Sequence, residues 1–162
     1  MKPILRNVFS LFALILISGC TEFSEEKNNP ESGLDPVFHK SHEPNRADKP
    51  FSDVVQVGDT YYLTGQIGLD HGSGILAGGG IVTETRQTLE NIKAVLAHHK
   101  MEMTDVVKVT VILDDIADFS AFNEIYITYF PQKPARTTFA VEALAREAKI
   151  EIEVVAIKRE NP

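Results

Sequence analysis

Arg136 enters the stretch KPARTTFAVEAL (Lys133–Leu144), where Thr137, Thr138, Phe139 and Val141 predict a β-strand. A guanidinium among apolar neighbours is costly to bury without an anion. Its partner is either an acid of the protein, Glu151 or one on a neighbouring copy, or the carboxylate of a small ligand. Spacing alone does not choose between them. Glu151 opens a second strand, KIEIEVVAIK (Lys149–Lys158). Beside a bound electrophile its carboxylate would orient a water and take its proton; taken alone, it reads as one acid on a solvated strand face. Thr64 alone is an ordinary strand threonine, and Asn123 alone an exposed helix residue.

The elements around these residues follow from periodicity. SDVVQVGDTYYLTGQI (Ser52–Ile67) reads as two strands joined at Gly58-Asp59. HGSGILAGGG (His71–Gly80) lacks the lysine of a phosphate-binding loop and reads as a flexible connection. TETRQTLENIKAVLAHHK is an amphipathic helix, capped by Thr83, with Leu89, Ile92, Val95 and Leu96 on one face. Its adjacent His98 and His99 diverge by about 100°, which suits a helix C-terminus better than a shared metal ion. Val106–Leu113 is a strand. DIADFSAFNEIYITYF is a second helix whose aromatic stripe reads as core.

The resulting order, ββαβαββ, predicts an α+β sandwich with both helices on one face of a single sheet. In the last strand Ile150, Ile152, Val154 and Ala156 would pack under the helices, leaving Glu151, Glu153, Val155 and Ile157 opposite. Arg136, Thr138 and Ala140 are assigned to that same open face, alongside Glu151. Its apolar members lack an internal cover, so another copy of the chain is expected to supply one.

The remaining sequence bears on location and partners. A formal charge of −7 argues against a nucleic-acid surface, and so against a ribonuclease. The single cysteine, Cys20, excludes an intrachain disulfide and a cysteine metal site. Lys2 and Arg6 precede an apolar run of about ten residues, too short to span a bilayer and suited to a signal peptide. The run ends in ISGC, which resembles the lipobox of bacterial lipoproteins. The expected organisation is a signal peptide over 1–19, then a lipidated Cys20 and flexible tether over 20–48. A globular domain follows over 49–162. An exported, membrane-anchored, extracytoplasmic protein follows from this, on the periplasmic side of the outer membrane in a Gram-negative host. His39 and His42 fall in the tether and read as solvated.

PFSDVVQVGD, TGQIG, NIKAVL, DFSAFNEIYITYF, PARTTFAVEAL and KIEIEVVAIK, in this order and spacing, closely resemble the RidA/YjgF family of reactive-intermediate deaminases. The resemblance runs from about Lys49 to Arg159. It implies a chorismate-mutase-like fold, a homotrimer with clefts between subunits, and hydrolysis of 2-imino acids to 2-oxo acids and ammonia. No metal or organic cofactor is implied. Residue by residue, it implies that Arg136 holds the substrate carboxylate and Glu151 positions the attacking water. It places Asn123, Thr64 and Gly65 in the cleft. Phe51 stands where archetypal members have Tyr, and Thr138 where many have Cys, so both bear on substrate choice. The rival reading is a non-catalytic trimer that binds small carboxylates or a partner.

Overall fold

The structure is a computed structural model and describes residues 35–159. The expected signal peptide, Cys20 and the first part of the expected tether lie outside the described residues. Among the described residues eight strands and two α-helices follow in chain order, with short 3-10 turns between some of them. They are β1 (Val37–His39), β2 (Val54–Val57), β3 (Thr60–Ile67), β4 (Leu69–Asp70), β5 (Ile75–Leu76), α1 (Ile81–His98), β6 (Val106–Leu113), α2 (Phe119–Tyr129), β7 (Ala135–Ala140) and β8 (Ile150–Ile157).

Six strands form one sheet in the order β1-β2-β3-β8-β6-β7. All neighbours are antiparallel except β6 and β7, which are parallel and joined through α2. A parallel pair needs such a crossover, and the helix packs its apolar side back onto the sheet. Ile150, Ile152, Val154 and Ala156 are buried against Leu89, Ile92, Val95 and Leu96 of α1 and Phe122 and Ile125 of α2. Each such aliphatic side chain contributes roughly 1.5–3 kcal/mol by leaving water, so this one alternating strand anchors the layer. The α+β sandwich with two helices on one sheet is as the periodicity predicts.

Three expectations need correction. First, the domain does not begin at residue 49. β1 pairs with β2 through Val37↔Gln56 and His39↔Val54, and Pro44–Arg46 form a 3-10 turn that seats Arg46 beside Asp53. A three-residue strand in a polar segment carries no period, which is why it reads as tether. Second, the glycine-rich segment is not merely a connection. It holds the β4–β5 hairpin and starts α1 at Ile81, with Gly80 at φ 76° as the N-cap in place of Thr83.

Third, the tether histidines are half-buried against α1 rather than freely solvated. His39 lies 4.8 Å from His99 between ring centroids, and His42 stacks on His98 at 4.7 Å. Burial, reinforced by His39 and His98, holds His99 down to about 4. Its imidazole is therefore neutral, and contributes no charge to the helix C-terminus. Among the described residues no group of three or more His, Cys, Asp or Glu converges on a metal position.

The face away from the helices carries an apolar row. Phe38, Val55, Tyr62 and Val155 are successive register partners across four strands, and Phe38 and Tyr62 are exposed.

Candidate active site

The sequence-predicted residues fall into two groups on opposite faces of the sheet. Arg136 on β7 is the register partner of Val109 on β6, and Val109 is fully buried beneath the helices. The arginine therefore rises on the helix side. Its Nη1 donates to Asn123 Oδ1 at 2.9 Å, and its guanidinium carbon lies 4.5 Å from the Tyr126 ring centroid and 5.3 Å from that of Phe122. Arg136 makes no ion pair among the described residues. Aromatic faces attract a guanidinium but leave its charge uncompensated. A cavity of about 420 Å³ opens here, with Ile127, Phe130 and Pro134 among its walls. Thr138, on the same face of β7, has a buried hydroxyl with no partner.

This corrects the expectation that Arg136 shares a face with Glu151. β7 is the sheet edge, so either of its faces can carry apolar residues. Phe139 pairs with Ile112, which in turn pairs with Glu151, and so Phe139 belongs to the open side, where it is 43% exposed.

Glu151 stands on that open side of β8. β3 has a bulge opposite it, between Leu63 and Gln66, which places Thr64 and Gly65 outside the regular ladder. The carboxylate lies over Gly65 so closely that a β-carbon there would overlap its Oε1. Burial, and secondarily the charge of Glu153, raise the Glu151 carboxyl above its ordinary range. It has neither an ion-pair nor a side-chain hydrogen-bond partner among the described residues, so nothing local holds it ionised. A cavity of about 460 Å³ joins Glu151 to Phe51, Thr64, Gly65, Lys49 and Arg146. Behind it, Arg46 binds Asp53 at 2.9 Å and Gln66 at 3.2 Å, and lies 5.6 Å from the Phe51 ring.

One chain thus brings Asn123, Thr138 and Arg136 together, and Phe51, Thr64, Gly65 and Glu151 together, but does not join the two groups. Sequence reasoning missed Tyr126 beside Arg136, although its spacing of three from Asn123 puts both on one helix face. It also missed Arg46, Lys49 and Arg146. Arg46 and Lys49 lie at or next to the supposed tether, and Arg146 sits in an irregular turn at φ 60°.

The chemistry of the halves is complementary. One offers an unpaired cation in an aromatic-walled cavity, suited to a small carboxylate. The other offers a weakly acidic carboxyl, suited to handling a proton.

A family model described as Endoribonuclease L-PSP matches residues 41–158. A 2-iminobutanoate/2-iminopropanoate deaminase from Mus musculus is 46% identical over 110 residues, covering 67% of this chain and 82% of that protein. Among solved structures, RidA from an Antarctic Psychrobacter is 32% identical with a TM-score of 0.70, covering 75% of this chain and 99% of that one. E. coli TdcF with bound serine is 27% identical with a TM-score of 0.69, covering 76% and 99%. Family model and relatives overlap across nearly all of the described fold, and the chain belongs to the Endoribonuclease L-PSP family, also known as RidA/YjgF.

Proposed function

We propose that this protein hydrolyses small 2-imino acids to 2-oxo acids and ammonia, at sites completed between copies in a homotrimer. The observation that carries the reading is Arg136, a half-buried guanidinium facing a cavity, with no acid paired to it among the described residues. Two further facts support it. Relatives at 46% identity are named for this reaction, and a structural neighbour holds serine, an α-amino carboxylate.

In this reading Arg136 binds the substrate carboxylate through paired N–H groups while Asn123 fixes the guanidinium. The carbon of the C=N bond then stands at a set distance from the Glu151 half of a neighbouring copy. Glu151 takes a proton from water as its oxygen bonds to that carbon. The carbinolamine so formed expels ammonia, with the proton returned to nitrogen, and leaves the C=O group. Positioning supplies most of the acceleration, because a protonated imine is already a strong electrophile. Thr64 and Gly65 shape the glutamate's side. Phe51 and Thr138 border the two halves and tune substrate choice. The row Phe38–Val55–Tyr62–Val155 supplies an apolar surface for the neighbouring copy to cover.

The test is competition with semicarbazide for imines generated from several amino acids. Arg136→Ala should lose at least about a thousandfold in kcat/KM. A variant within a few-fold of the parent would overturn the role given to Arg136. Binding of 2-oxo acids by a parent without turnover would instead support a non-catalytic carboxylate-binding trimer.

The N-terminal proposal stands on its sequence pattern: export, cleavage before Cys20 and lipidation of that residue. No helix among the described residues is long and apolar enough to cross a membrane. Cys20→Ser should move the protein from the membrane fraction to the soluble fraction.

A further inference from the structure

Arg46 and Asp53 form a buried ion pair, with side chains 10% and 3% exposed. Nε and Nη2 of the arginine both donate to Asp53 Oδ1, at 3.2 and 2.9 Å, while Asp53 Oδ2 has no partner among the described residues. Such a pair is a weak source of stability, because desolvating two charges offsets most of their attraction. Its effect lies in what it holds still. Nη1 of Arg46 also donates to Oε1 of the fully buried Gln66 at 3.2 Å, and the guanidinium carbon lies 5.6 Å from the Phe51 ring centroid. Asp53 and Gln66 both grip the β3 bulge. The Thr64 N–H donates to the Asp53 carbonyl at 3.0 Å, and Gln66 is where the ladder with β8 resumes after Thr64 and Gly65. A bulge interrupts the ladder, so contacts from outside it must fix its position. Gly65 is the surface over which the Glu151 carboxylate lies. One side chain from the supposed tether therefore ties together the pieces that carry Phe51, Thr64 and Gly65, and it lines the same cavity as Glu151.

We infer that Arg46 is a positioning residue: by joining Asp53 to Gln66 it fixes the Thr64–Gly65 bulge, and through Gly65 the place of the Glu151 carboxylate. The inference rests on the reading of Glu151 as the group that takes a proton from water. An arginine that merely fastened the 3-10 turn to the sheet would need Asp53 alone. The further bond to Gln66, on the far side of the bulge, is what separates the two roles.

Removing Arg46 alone would leave Asp53 buried and unpaired, so the test removes both charges. In the double variant Arg46→Met/Asp53→Val the melting temperature should stay within about 4 °C of the parent, since an apolar pair replaces a buried ion pair at little cost. Its kcat for the imine of 2-aminobutanoate should fall roughly tenfold, while the dissociation constant of 2-oxobutanoate, held at Arg136, stays within about twofold. The acidic limb of kcat should also move to lower pH, because a carboxylate no longer held in place gains water. One charge of each sign is lost, so that shift reports movement of Glu151 and not a changed field. Arg46→Lys keeps the charge but lacks the fork that reaches two partners, and should restore kcat only in part. A double variant with kcat within about twofold of the parent and an unmoved acidic limb would show that the pair only fastens the turn. Equal losses of binding and turnover would mark general loosening and would also overturn the inference. Should the double variant fail to fold, Arg46→Lys decides: a several-fold fall in kcat at unchanged KM supports positioning, and parent-like kcat overturns it. If the parent consumes no imine, or Glu151→Gln is as active as the parent, the Glu151 reading and this inference fall together. An inactive Glu151→Gln beside an unaffected double variant overturns this inference alone.

Discussion

The Arg136 and Glu151 regions fail in opposite ways. Around Arg136, three aromatic rings and one amide surround a cation that lacks an anion among the described residues. Around Glu151, a carboxyl lacks donors among the described residues, although Lys49 and Arg146 line the same cavity. Neither region repairs itself, because the sheet stands between them. Incomplete polar groups are costly in a folded chain, and they persist where something else completes them. The comparison teaches that the proposed chemistry and the proposed assembly are one hypothesis.

The sharpest way to break it is subunit mixing. Arg136→Ala and Glu151→Gln should each be inactive alone. Co-refolded in equal amounts, they should regain about a quarter of parent activity, since one site in four would then join an intact arginine to an intact glutamate from a neighbour. No recovery would mean that both groups serve within one chain. Next in size, Glu151→Gln should lower kcat by about 10²–10³ with little change in KM. Its charge also sets a pH limb. A base must be ionised, and burial raises this carboxyl, so parent activity should fall on acidification at a pH above the ordinary carboxylate range. That limb should be missing from the residual activity of Glu151→Gln.

A smaller change probes the floor of the glutamate's half. Gly65→Ala would push the carboxylate aside, and should cost about tenfold or more in kcat while leaving 2-oxo acid binding at Arg136 less affected. The mildest effect lies away from both halves, at His99. Above about pH 6.5 its imidazole is neutral whether the chain is folded or not. As the pH falls from there towards about 4, only the unfolded chain takes up a proton, so stability should decline through that window. The cause is burial, with His39, His42, His98 and Lys158 adding like charge. His99→Gln should flatten the dependence of melting temperature on pH over that range, and an unchanged slope would remove His99 from the account.

How much of this was legible in the sequence depends on how many faces of an element are committed. β8 is central, with one face under both helices, so its alternation fixed the phase of Glu151 without ambiguity. β7 is an edge strand, and its burial pattern never separates cleanly. Hydrophobicity favours an interior place for Phe139, which sends Arg136 to the open face; the register with β6 has them the other way round. Asn123 and Arg136 meet only because α2 returns the chain beside β6, a contact no local period announces. The same holds for β1 and the four histidines, which come from segments about 60 residues apart. Family motifs name the candidate residues; they do not say which of them one chain brings together.

β1 also sets the geometry of any mooring. If Cys20 carries the proposed lipid, sixteen residues separate it from Val37, where the chain is stitched to the sheet edge. That leash reaches roughly 55 Å at full stretch. In a closed three-fold ring the three amino ends must emerge at one height, on one side of the axis. Were the proposed trimer and the proposed lipid both present, all three attachment points would lie on one rim, and that rim would be the one nearer the bilayer.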